Sequence, residues 1–131
     1  MTDPTRTVAL RDERDVAAAR NAAARACDEA GAKALRKVRF VTAVSEIARN
    51  AIDHGGGGSI EIRLSLSPRR ITALCVDDGP GIANMDLALT DGYSTARSMG
   101  KGLGGARRLV DRFEMRNRPE GGLEVWMSSA L

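Results

Sequence analysis

Ser45-Glu-Ile-Ala-Arg-Asn50-Ala-Ile-Asp-His54-Gly-Gly-Gly-Gly58-Ser-Ile-Glu-Ile-Arg-Leu-Ser-Leu66 changes its hydrophobic period halfway along. Before the glycines, Ile47, Ala48, Ala51 and Ile52 continue a pattern begun at Leu35, Val38 and Val41. That spacing predicts a helix from about Lys33 with one broad buried face. After the glycines, Ile60, Ile62, Leu64 and Leu66 alternate with Ser59, Glu61, Arg63 and Ser65, the pattern of a half-buried strand. The glycines between them stop the helix, because glycine readily takes the left-handed conformation of a helix C-cap.

Upstream, Val8-Ala9-Leu10 reads as a short strand, and Asp12 or Asp15 can cap a helix from Val16 to about Ala30, which Gly31 ends. Downstream, Ser67-Pro-Arg-Arg70 turns the chain into Ile71–Val76, completing a hairpin. The near-continuous apolar character of Ile71–Val76 suits a central strand covered on both faces. Thr90–Gly100 has little periodicity and reads as a loop, followed by a helix from about Leu103 to Phe113. Two last strands, near Glu114–Asn117 and Leu123–Ser128, are joined through Pro119-Glu-Gly-Gly122. Strands and helices do not alternate strictly. The order predicts an α+β fold, a two-layer α/β sandwich whose mixed, mainly antiparallel sheet carries its helices on one face.

Bulk properties narrow the function. A length of 131 residues is expected to form one domain, 1–131, and 43% apolar with 28% charged residues argues against disorder. The net charge of +3 comes from interspersed charges, and aromatics are few (Phe40, Tyr93, Phe113, Trp126), so no nucleic-acid surface is expected. Cys27 and Cys75 lie in separate apolar stretches and are expected as buried free thiols. His54 is the single histidine, which disfavours a zinc site. The first residues lack the apolar core of a signal peptide, and no stretch approaches the ~18 apolar residues of a membrane span. A cytoplasmic protein is expected.

Three segments carry chemistry. Glu46 and Asn50 are four residues apart, so on a helix they share a face. Asn50 offers a neutral oxygen suited to a magnesium ion held mainly by phosphates and water. Glu46 is placed to orient or deprotonate a nucleophile, although such pairs also decorate ordinary solvated helix faces. Arg49 and Asp53 beside them read as surface charge. Asp77-Asp-Gly79-Pro-Gly81 follows an apolar strand, where glycine and proline serve any turn. A carboxylate there can also accept a hydrogen bond from adenine N6, a donor that guanine O6 does not offer. Gly79 and Gly81 would then admit the ring close to the backbone.

Gly100-Lys-Gly102-Leu-Gly104-Gly105 matches G-x-G-x-x-G, but an irregular loop precedes it rather than the first strand of a βαβ unit. It is no P-loop either, because Gly102 follows Lys101 where Ser or Thr is needed. What remains is a glycine-rich loop opening a helix, whose amides favour an anion, with Lys101 adding charge. Ser94 and Thr95 could donate hydrogen bonds to phosphate, and His54 suits the helix C-terminus.

In this order the segments resemble the boxes of the GHKL (Bergerat-fold) superfamily, which unites gyrase, Hsp90 chaperones, sensor histidine kinases and MutL. The boxes are Glu46-x-x-x-Asn50, Asp77-x-Gly79-x-Gly81 and Gly100-x-Gly102-x-Gly104. Ser45–Asn50, Asp78–Ile82, Asp91–Thr95 and Arg108–Asp111 look most like anti-sigma-factor-type serine/threonine kinases, especially the stressosome switch kinase. The interval between the glycine boxes is short, unlike the longer lids of many sensor kinases, and no histidine-bearing dimerisation domain is expected within 131 residues. The resemblance implies a histidine-kinase-like ATPase domain binding ATP and Mg. Asn50 would hold magnesium, Glu46 would be the base and Asp77 would read adenine. Gly79, Gly81, Thr95, Lys101, Gly102, Leu103 and Gly104 would complete the nucleotide site. Its implied partner is a small STAS-domain antagonist bearing the acceptor serine or threonine, with a phosphatase as a further partner. The alternative is an anti-sigma factor that acts by sequestering a sigma factor, with nucleotide as the gate.

Overall fold

The computed structural model describes residues 5–83 and 99–131. Strand β1 (Thr5–Leu10) leads into α1 (Glu13–Glu29) and α2 (Ala34–Gly55). The hairpin β2 (Gly58–Leu66) and β3 (Arg69–Asp77) follows. Helix α3 (Met99–Leu109) precedes a second hairpin, β4 (Arg112–Asn117) and β5 (Leu123–Ala130).

The strands form one sheet in the order β1-β2-β3-β5-β4. Every neighbouring pair is antiparallel, so the expected mixed sheet is purely antiparallel among the described residues. β2–β3 and β4–β5 are hairpins closed by short turns, whereas β1–β2 and β3–β5 pair across longer connections that carry helices. β1 starts earlier than its apolar residues suggest because its backbone pairs with β2 from Thr5↔Arg63 onward.

Local chemistry fixes the helix ends. Asp12 is the N-cap of α1, and with Asp15 it forms a capping box, so both candidate caps take part. α2 ends on Gly56, whose φ of 71° is left-handed. Its apolar stripe packs from Phe40 onward through Ala43, Val44, Ile47, Ala48 and Ala51, all buried. Leu35 and Val38 depart from expectation, being 67% and 61% exposed. Periodicity places them on one side of the helix, but it does not supply a neighbour to cover them.

Alternation sorts the sheet. Ile60, Ile62, Leu64, Ile71, Ala73, Cys75, Val125 and Met127 are buried. Thr72, Leu74, Val76 and Trp126, on the opposite face, are half-buried. β3 is therefore central, but the expectation that both its faces are covered is not met. Valine and leucine on its outer face imitate a doubly buried strand.

The largest revision concerns α3, expected from Leu103 and observed from Met99. Glycine costs a helix about 1 kcal/mol per residue, so local propensity favours a loop over Gly100–Gly105. Tertiary packing overrides it: Leu103 and Ala106 are fully buried in the core. The end of the helix is tied to α2, with Arg39 donating to the carbonyl of Arg108 at 3.0 Å and Arg36 pairing with Asp111 at 3.1 Å. The Ala130 amide and the Arg36 guanidinium together hold the Asp111 carboxyl below the usual aspartate value.

Both cysteines are free and buried, as expected. Burial pushes the thiols up, Cys27 to about 11 and Cys75 to about 12. Since the thiolate is the reactive form, neither should react with a thiol reagent near pH 8 until the chain unfolds. Counting thiols titrated before and after denaturation checks this. Stability should also fall as pH rises above the ordinary thiol value of 9.0, where the unfolded chain releases its protons first.

Candidate functional site

Two adjoining clefts meet at the C-terminal half of α2. Asn50, His54, Gly55, Asp77, Gly81, Ile82 and Leu123 line one. Glu46, Arg49, Asn50, Asp53, His54 and Gly102 line the other. Asn50 and His54 belong to both, so the clefts form one crevice. The fold thereby brings together Glu46, Asn50, Asp77, Gly81 and Gly102, from three separate segments of the sequence.

Asp77 ends β3 and is 5% exposed. One of its carboxylate oxygens, Oδ1, accepts the amides of Gly79 at 2.9 Å and Leu123 at 3.0 Å. No hydrogen bond from a described residue reaches the other oxygen, Oδ2. Asp77 lines the first cleft, and a carboxylate fixed through one oxygen is a directional acceptor through the other, for which an exocyclic amine is a matching donor. The carboxyl group lies directly over Gly55, where a Cβ would stand 2.6 Å from Oδ2. At Gly79 a Cβ would stand 2.6 Å from the Cα of Gly55. The last glycine of α2 thus makes room for the carboxylate and for the turn after it. Gly55→Ala should push Asp77 aside and destabilise the fold by about 1–3 kcal/mol, as overpacking does. Denaturant titration measures that loss.

On α2, Asn50 is 7% exposed and its Oδ1 has no hydrogen-bond partner among the described residues. An unsatisfied buried carbonyl costs about 1–3 kcal/mol, a cost that a bound water or cation relieves. Its position suits a hard cation that takes oxygen ligands. Among the described residues no group of three histidine, cysteine or carboxylate side chains could hold a metal alone. A magnesium ion resting on one amide oxygen and on ligand phosphates fits this donor set.

Glu46 faces the same crevice one turn earlier, half-buried, with Oε1 3.5 Å from Arg49 Nη1. Arg49, read as surface charge from the sequence, therefore contacts the proposed base and lines the cleft. A Cβ at Gly102 would stand 3.5 Å from Glu46 Oε2, which places the start of α3 across from the carboxylate.

The second glycine box lies inside α3 rather than in a loop before it. A helix starting at Met99 leaves the amides of Met99, Gly100 and Lys101 without intrahelical partners. Leu103 and Gly104 lie in the next turn, with the Leu103 side chain in the core. The anion-attracting end is thus Met99–Lys101. Thr95, together with Ser94, falls outside the described residues. His54 stands in the last turn of α2, where a cation complements the dipole, and it also lines the crevice.

Sequence reasoning passed over Asn117, Arg118 and Gly122. Arg118 Nη1 donates to the Asp77 carbonyl at 2.9 Å, and the Asn117 side chain bonds both backbone groups of Ile82 at 2.8 Å. Gly122 has φ 92° and packs so closely on the Asp77 carbonyl that a Cβ has no room. A larger hollow of about 390 Å3 lies elsewhere, lined by Glu114, Met115, Arg116, Glu124 and Trp126. The Arg116–Glu124 ion pair at 2.7 Å already satisfies its main charges, and none of the glycine boxes reaches it.

Comparison with known proteins identifies the family. Residues 9–129 match the family described as Histidine kinase-like ATPase domain. The chain is 32% identical over 120 residues to the serine/threonine-protein kinase RsbT of Bacillus subtilis (strain 168), covering 90% of each chain. It is 29% identical over 97 residues to the anti-sigma F factor of Clostridium novyi (strain NT), covering 69% of this chain and 68% of the other. No helix among the described residues is long and apolar enough to cross a membrane. The match spans nearly the whole chain, and the chain belongs to the histidine kinase-like ATPase family.

Proposed function

We propose that this protein is an ATP- and magnesium-dependent serine/threonine protein kinase, a regulatory switch whose acceptor is a small STAS-type antagonist domain. The observation that carries the proposal is the pairing of Glu46 with the orphaned oxygen of Asn50 at one end of a crevice whose other end is Asp77. Asp77 accepts the adenine amine through Oδ2. Gly79 and Gly81 admit the ring, and the amides at the N-terminus of α3, Met99–Lys101, attract the phosphates. Gly102, Leu103 and Gly104, like the charge of Lys101, are assigned to the phosphates through the resemblance. Asn50 holds magnesium, which when bound neutralises phosphate charge and fixes the triphosphate. Glu46 receives the proton of the attacking hydroxyl, a role open to a carboxylate that reaches solvent at the cleft. Thr95 is assigned to phosphate through the resemblance alone.

The name of the 32%-identical relative supports kinase activity. That of the second relative supports another reading, an anti-sigma factor that sequesters a sigma factor and uses nucleotide as a gate. A phosphatase is a further proposed partner, and the cytoplasm is the proposed location. Incubating the chain with Mg-ATP, a STAS domain and a sigma factor from the same organism separates the readings. Phosphoserine or phosphothreonine on the domain supports the kinase. Stable capture of a sigma factor without any transfer supports sequestration and removes the kinase.

A further inference from the structure

We propose that Asn117 is a positioning residue for the base end of the crevice, holding Ile82 and the first glycine box in the conformation that receives adenine. The proposal rests on the reading of this crevice as an ATP site. Asn117 is the last residue of β4, where the ladder with β5 ends at Asn117↔Leu123. Its side chain then acts as one more strand neighbour. The Ile82 amide donates to Asn117 Oδ1 at 2.8 Å, and Asn117 Nδ2 donates to the Ile82 carbonyl at 2.8 Å. Only a side-chain amide presents an acceptor and two donors in this planar form.

The contact explains Gly81. Its φ is 78°, and a Cβ there would stand 3.1 Å from Asn117 Cγ and closer still to Oδ1. The segment is laid directly across the asparagine, and Gly81 and Ile82 then line the cleft beside Asp77. The same corner grips the start of the segment: Arg118 bonds the Asp77 carbonyl, and the Leu123 amide bonds Asp77 Oδ1. The turn between β4 and β5 therefore holds both ends of Asp77–Ile82, one through Asp77 and one through Asn117.

Both Asn117–Ile82 bonds are solvent-exposed, so water can replace them at little cost to global stability. Their effect falls on conformational freedom. A segment already held in its bound shape loses less entropy when the ligand arrives. That difference separates positioning from a structural role.

Calorimetric titration of the full chain with ADP and with Mg-ATP at 25 °C, alongside thermal melting, tests the proposal. Asn117→Ala removes both bonds. Asn117→Asp keeps the acceptor for the Ile82 amide but turns an acceptor toward the Ile82 carbonyl. Both variants should raise the Kd for ADP and for Mg-ATP by the same factor, about tenfold, because the base is common to both. The melting midpoint should stay within a few degrees of wild type. Unchanged Kd values, with or without a lower midpoint, overturn the proposal while leaving the ATP reading intact. A loss confined to Mg-ATP overturns it as well, since the effect would then lie at the phosphates. If wild type binds neither nucleotide, the ATP reading itself fails and takes the proposal with it.

Discussion

Glu46→Gln should lower phosphate transfer by about a hundred- to ten-thousand-fold, the usual contribution of a general base, and leave ATP affinity nearly unchanged. Glutamine has the shape of glutamate and keeps its place one helical turn before Asn50, but it cannot take up the acceptor's proton. Structural side effects should be small. The contact with Arg49 is 3.5 Å long and both side chains are over a third exposed, so the pair contributes little to stability. A single-turnover assay with the phosphoacceptor domain, read beside an ATP titration, gives both quantities. Transfer at the wild-type rate would remove Glu46 from the chemistry and assign the acceptor's proton to another group.

Asp77→Asn should weaken ATP binding about ten- to a hundredfold, as expected when a hydrogen bond to a charged acceptor is lost. The substitution is selective because the two carboxylate oxygens differ. Oδ1 already accepts from Gly79 and Leu123, and an asparagine oxygen can keep both bonds. The NH2 group must then occupy the place of Oδ2 and face the donor on adenine N6. Donor meets donor, and discrimination against guanine should disappear, since guanine O6 is an acceptor that this NH2 can satisfy. Competition between ATP and GTP for the variant measures the change. Undiminished preference for adenine would show that the base is read elsewhere.

Much of this geometry is legible in the sequence wherever a local pattern controls it. The switch of period at Gly55–Gly58 gives α2 and β2, and the order of the elements gives an α+β sandwich with a mainly antiparallel sheet. Glu46 and Asn50 fall on one helix face because helix geometry admits no other placement four residues apart. Asp77 is found because a carboxylate ends an apolar strand.

Features made by residues distant in the chain are not legible. Gly55 reads as part of a helix stop, yet the stop is Gly56, and Gly55 is needed for contact with Asp77. The glycines of α3 read as loop because the packing of Leu103 and Ala106 that outweighs their propensity is tertiary. Leu35 and Val38 read as core because periodicity is blind to missing neighbours. Asn117 and Arg118 sit beside an ordinary turn, and their partners lie 35 and 41 residues away. Asparagine or arginine next to a turn gives no signal until the strands that meet there are known.

Titration of the wild-type chain with Mg-ATP and Mg-GTP, repeated with a chelator in place of magnesium, tests the central claim most directly. Binding of ATP but not GTP, weakened when magnesium is withdrawn, is the predicted result. Equal binding of both nucleotides, or binding of neither, would contradict the assignment of Asp77 to the base and Asn50 to the metal.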